Sequence, residues 1–149
     1  CDVLTSDTSQ LAALRTQLDD LSSAIILPAI ISKEPLGPVV RQGDDAWFNV
    51  VKWVLFGQIN AEEYGISSDN LDDMLESTDP NVMRIVGSEG NMGEILGLDA
   101  DFMVDVIGQV GNYGEMFERN VGPNTPIGLD RGVNNLWTEG GIMYAPPFR

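Results

Sequence analysis

The chain opens on a short apolar run, Val3-Leu4-Thr5, which passes into the polar turn Ser6-Asp7-Thr8-Ser9 and then into a segment with Leu11, Leu14 and Leu18 on one helical side. The pattern predicts a strand over residues 2–5, a loop and a helix. Ala24-Ile25-Ile26-Leu27 is stopped by Pro28, Ile30-Ile31 begins a second extended segment, and residues 36–41 read as a strand that Pro38 keeps at an edge. Asp44 is suited to cap a long helix beginning at Asp45, and Gly65 to end it after Tyr64. Along that helix Trp47, Phe48, Val51, Val54, Leu55 and Ile59 cover more than one stripe, which predicts burial on two sides.

Beyond Gly65 the predicted elements shorten. Ser68 is expected to cap a helix over residues 70–76, Pro80 to open one over residues 81–86, and Gly87 to end it. Residues 87–93 read as a Gly-rich loop. Asp99 is expected to cap a helix bearing Phe102, Val106, Ile107 and Val110, with further helices over residues 115–120 and 129–138. Gly140-Gly141 then releases an extended tail to Arg149.

Composition narrows the function. With 149 residues and 43% hydrophobic content the chain can fill the core of one domain. Eight Lys plus Arg against 23 Asp plus Glu leave a net charge of -15, which repels phosphate backbones and anionic lipid alike, so no nucleic-acid partner is expected. The absence of histidine removes Ser-His and Cys-His nucleophiles and most zinc sites, so neither catalysis nor a metal nor a cofactor is expected. No apolar stretch approaches the length of a membrane span, about 20 residues.

The chain begins with Cys1 rather than Met, and Cys1 admits three readings: an acylated lipoprotein cysteine, half of a disulfide to an upstream cysteine, or a buried thiol. The strand-like Val3-Leu4-Thr5 argues against a lipoprotein linker. The expectation is a disulfide or a buried thiol, neither lipidated nor catalytic.

Acid pairs are plentiful: Asp19-Asp20, Asp44-Asp45, Glu62-Glu63 and Asp72-Asp73. Adjacent helical residues do not face one another, so these pairs are solvated surface and not acid/base dyads. Asp99 and Asp101 lack the spacing and closing Glu of a calcium loop, and the Gly-rich loop lacks the Lys or Arg of a phosphate loop. Asp7 differs by position. A polar turn between a strand and a helix is where open α/β sheets collect ligands, and a carboxylate there can accept a charge-assisted bond from an ammonium group. It can equally be an N-cap, a role open to Thr8 or Ser9 as well.

Taken together, Cys1-Asp2-Val3-Leu4-Thr5-Ser6-Asp7, the run from Ile30-Ile31-Ser32-Lys33-Glu34-Pro35 through Arg41-Gln42-Gly43-Asp44-Asp45-Ala46-Trp47-Phe48, Gly111-Asn112-Tyr113-Gly114-Glu115-Met116-Phe117-Glu118-Arg119-Asn120 and the ending Tyr144-Ala145-Pro146-Pro147-Phe148-Arg149 resemble the periplasmic general L-amino-acid-binding proteins of ABC importers. The resemblance spans the whole chain and matches only the C-terminal part of that family. It implies an α/β fold, the C-terminal part of a two-lobe periplasmic binding protein of type II, helix-rich in this segment. Residues 1–29 would be the end of the second, ligand-clamping lobe, residues 30–35 a hinge strand, and residues 36–149 the C-terminal part of the first lobe.

The function so implied is capture of free L-amino acids in the periplasm for uptake through an inner-membrane ABC permease. Asp7 matches the family position that receives the ligand's α-ammonium group, and Ser6 a neighbour that can face the ligand side chain. None of the six arginines matches the one that grips the ligand carboxylate. The chain would therefore need the missing N-terminal half, or a second copy of itself, to cover its core. The rival reading is an acidic helical protein-interaction module in which Asp7 is a cap and no small molecule binds. The preferred amino acid is not legible.

Overall fold

The computed structural model describes residues 2–33 and 35–149, and its regular elements are helical. They are α1 (Thr8–Arg15), α2 (Asp45–Glu63), α3 (Leu71–Leu75), α4 (Pro80–Ile85), α5 (Met92–Leu96), α6 (Phe102–Val110) and α7 (Tyr113–Asn120). Cys1 and Glu34 lie outside the described residues, and with them the expectations for the Cys1 thiol and for one residue of the hinge.

Two units divide the chain: the described residues up to Gly37 together with Phe117–Arg131, and Pro38–Met116 together with Gly132–Arg149. In the first, α1 buries Ala12, and Asp20 caps a 3-10 turn at Leu21–Ser23. Val121 N–H and Gly122 N–H both donate to Phe117 O beyond α7, and a Cβ on Gly122 would stand 2.6 Å from Glu118 Cα, so the close turn requires glycine.

The second unit is organised by α2, whose ends follow from its sequence. The Asp44 carboxylate accepts the Trp47 amide at 3.1 Å, and Asp45 adds negative charge at the positive end of the helix dipole. At the other end Gly65 has φ +69°; its N–H reaches Glu62 O at 3.0 Å while Ile66 N–H reaches Ala61 O at 2.7 Å. That pair of bonds closes the helix and turns Ile66 into the core, where it is fully buried. Ile66 joins Ala61, Ile85, Met103, Ile107 and Phe148 in the main cluster. Phe148 brings the C-terminal tail in, its ring 5.7 Å from Trp53 and 6.2 Å from Phe102. Asn60, 2% exposed, donates from Nδ2 to Pro146 O at 2.9 Å and to Phe56 O at 3.0 Å, tying the tail to α2.

Several expectations need correction. Among the described residues no strand ladder forms, and the bridge pairing is a parallel one between Leu136 and Met143. Residues 2–5 and 36–41 run without turn or bend, but a strand exists only when another backbone pairs with it, and none here does. The expected two-sided burial of α2 holds toward its C-terminal end, where Ala61 enters the main cluster and Ile59 a second one with Leu136 and Ala145, but not at its start, where Trp47 remains 54% and Phe48 49% exposed. Asn70, not Ser68, precedes α3, because Ser68 is held by Glu115 through both its amide and its hydroxyl. Asp101, not Asp99, precedes α6. The Gly-rich segment gives way to α5 at Met92. The helix expected over residues 129–138 reduces to 3-10 turns at Gly132–Asn134 and Trp137–Glu139, because Asn135 engages Met143 N–H through its carbonyl and Gly141 packs against that same carbonyl.

Candidate ligand-binding site

Ser6 and Asp7 end the unpaired opening segment and stand at the start of α1. Asp7 occupies the N-cap position with φ -55° and ψ 143°, and its carbonyl accepts the first helical bond from Leu11 N–H at 2.9 Å. Its side chain does not follow. No backbone amide of α1 donates to the carboxylate, and neither Thr8 nor Ser9 takes over, since both lie inside the helix. Asp7 Oδ1 is nonetheless shielded from solvent and has no hydrogen-bond partner among the described residues.

Asp20 shows what a capping aspartate does in the same unit. It accepts Ser22 Oγ–H at 2.7 Å and Ser22 N–H at 2.8 Å, and these bonds, the hydroxyl's first, hold its carboxyl below the usual range. A buried carboxylate oxygen without such partners costs free energy in the ligand-free fold, because water has been removed and nothing has replaced it. An ammonium donor arriving at Asp7 would supply the missing bond.

Ser6 is exposed, and its hydroxyl donates to Gln10 Oε1. Gln10 was missed by reading the sequence alone, although its spacing of four residues from Ser6 puts the two side chains on one side of α1. Ser6, Asp7 and Gln10 therefore form a polar rim at the start of this helix. Among the described residues no cluster of three metal-ligating side chains exists, and no helix is long and apolar enough to cross a membrane. Of the acid pairs expected at the surface, Asp72 and Asp73 are exposed, but Glu63 is half-buried and accepts Trp137 Nε1–H at 3.2 Å. Glu115 shares a reciprocal pair of bonds with Asn112 at the start of α7, its carboxylate accepting Asn112 N–H at 2.8 Å and Asn112 Oδ1 accepting Glu115 N–H at 2.9 Å.

No protein-family model matches the chain. Over its whole length it is 54% identical, across 151 residues, to the general L-amino acid-binding periplasmic protein AapJ of Rhizobium johnstonii. It is 53% identical, across 150 residues, to the glutamate/glutamine/aspartate/asparagine-binding protein BztA of Rhodobacter capsulatus. A solved ABC-transporter periplasmic binding protein from Brucella ovis, with glutathione bound, superposes with a TM-score of 0.92 at 46% identity, over 97% of this chain and 46% of that one. This chain matches part of a periplasmic amino-acid-binding protein. It spans 44% of the length of AapJ and of BztA, so less than half of such a protein is present here. The expected fold, part of a periplasmic binding protein and helix-rich, is the fold the superposition finds.

Proposed function

We propose that this chain is part of the solute-binding subunit of an ABC importer, working in the periplasm, and that Asp7 receives the α-ammonium group of a free L-amino acid. The observation that carries the reading is the shielded, unpartnered Asp7 Oδ1 at the mouth of α1. Ser6, oriented by Gln10, faces the ligand side chain. Residues 1–29 belong to the ligand-clamping lobe, residues 30–35 to the hinge and residues 36–149 to the first lobe, and closure about the hinge presents the loaded receptor to a permease. The chain binds its ligand without transforming it, and it has no histidine to serve as a base.

The relatives' names support a free amino acid as ligand. The glutathione-bound neighbour adds a second ligand class that the same contact suits, because the γ-linked glutamyl residue of glutathione keeps its α-ammonium group free. Isothermal titration of the full-length protein that carries this chain, against a panel of L-amino acids and glutathione, tests the reading. Binding of at least one is expected, and Asp7→Asn should weaken it by roughly 30-fold or more, since truncating one side of a buried charged pair costs about 2 to 5 kcal/mol. Absence of heat with every member of the panel would favour an acidic interaction module instead.

A further inference from the structure

Asp7 is the N-cap of α1 and Gln10 its third helical residue, the spacing at which a helix start can close a capping box. In such a box the first side chain takes the amide of the third residue, and the third side chain reaches back to the amide of the first. Neither half forms here. The Asp7 carboxylate takes no amide of α1, and Gln10 turns its Oε1 outward to accept the Ser6 hydroxyl. With Oε1 so engaged, the Nε2 end of the Gln10 amide makes no hydrogen bond among the described residues, and Gln10 is exposed. Residues three apart at a helix start lie on one side of it, about 5–6 Å between Cβ atoms. The start of α1 therefore sets a shielded carboxylate acceptor beside a free amide donor, two groups of opposite polarity that a single small zwitterion can span.

We infer that Gln10 is a specificity-determining residue: its Nε2 donates to a side-chain oxygen of the bound amino acid while Asp7 holds the α-ammonium group. Ligands whose side chain ends in a carboxylate or a carboxamide are then favoured over apolar ones. The inference rests on the reading of Asp7 as the ammonium contact and deepens it. An apolar side chain seated on this rim would strip water from the Gln10 donors and give them no partner, which costs free energy. A carboxylate accepts from Nε2 in a charge-assisted bond. A carboxamide does so through its oxygen, and its own N–H groups meet the Ser6 oxygen, which is left as an acceptor once the hydroxyl hydrogen points to Gln10.

The test titrates L-glutamate, L-glutamine, L-alanine and L-leucine into the full-length protein that carries this chain, unsubstituted and as Gln10→Glu and Ser6→Ala. Gln10→Glu keeps an oxygen for the Ser6 hydroxyl and replaces the donor by a second carboxylate oxygen, so the ligand contact is lost while Ser6 stays held. The unsubstituted protein should bind L-glutamate and L-glutamine more tightly than L-leucine. Gln10→Glu should weaken L-glutamate by roughly tenfold or more relative to L-alanine, the scale of one hydrogen bond to a charged group. Ser6→Ala should leave the ratio of glutamate to alanine affinity in place, because the donor to a carboxylate remains. Three results overturn the inference: a ratio that Gln10→Glu does not move, a loss shared equally by all four ligands, which would put Gln10 on the α-carboxylate common to them, or a ratio that Ser6→Ala abolishes as fully as Gln10→Glu does. Asp7→Asn, titrated with the same four, keeps the two readings apart. Weakening of every ligand by Asp7→Asn, beside an unmoved ratio in Gln10→Glu, upholds the ammonium contact and sinks the specificity role, whereas no binding of any of the four to the unsubstituted protein sinks both.

Discussion

Asp44 and Asp7 both precede a helix, and each is the residue at which its unit turns from irregular chain into regular structure. The Asp44 carboxylate accepts the Trp47 amide, whereas Asp7 Oδ1, although hidden from solvent, accepts no bond among the described residues. The same contrast extends across the two units. In the second, the buried amides all close on backbone: Gln58 on Gly111 O, Asn60 on Phe56 O and Pro146 O, Asn112 on Ile66 O. Buried polar groups as a rule find partners inside the fold, so the shielded Asp7 Oδ1, without one among the described residues, is the exception that the proposed ligand contact would account for.

The contrast breaks most visibly if the second unit is not the stable one. Ile107 is fully buried on α6 among the main cluster, and Ile107→Ala should cost about 2 to 5 kcal/mol, the range for large-to-small changes in a core. Urea unfolding followed by tryptophan fluorescence reports it, since Trp53 packs against that cluster. A loss below about 1 kcal/mol would place the stability of this unit elsewhere than its core.

A smaller effect is expected at Asn60. Asn60→Ala removes two donors and leaves the carbonyls of Phe56 and Pro146 without them, for a cost of about 1 to 3 kcal/mol. Because Pro146 is two residues from Phe148, the tail should loosen first. Partial release of residues 145–149 to proteolysis, at denaturant levels where α2 remains protected from exchange, is the expected signature, and release of both together would show that the tail is not a separate closing element.

How far the sequence could foresee this division depends on the reach of each interaction. The start and end of α2 were legible because the Asp44 cap and the Gly65 turn are decided within four residues of themselves. The cap of α3 was not, since Ser68 answers to Glu115, far along the chain. Strands at residues 2–5 and 36–41 could be read as candidates, but pairing depends on a second backbone, which no local pattern reveals. The helix expected over residues 129–138 fails for a related reason: its carbonyls are claimed by the Leu136 and Met143 bridge and by the Gly140-Gly141 turn. At the candidate site the sequence singled out Asp7 and Ser6 but left cap and ligand contact level, and what the structure adds is that the Asp7 side chain makes no cap bond to α1.

The two aspartates can be set side by side as alanine variants in this chain. Asp44→Ala removes a formed cap and should cost about 1 kcal/mol, in the range of about 0.5 to 2 for such caps. Asp7→Ala has no cap bond to lose, and it also removes a carboxylate oxygen that the fold has taken from water without recompense, so the exchange rates of the α1 amides should stay level or slow. The stability change is therefore the smallest expected of these variants, at a residue whose change should be among the most damaging to ligand capture in the full-length protein. That opposition is what distinguishes a binding group from a structural one. If Asp7→Ala instead speeds exchange across the first turn of α1 as much as Asp44→Ala does across the first turn of α2, the carboxylate caps its helix in solution, and the case for an ammonium partner loses the observation on which it stands.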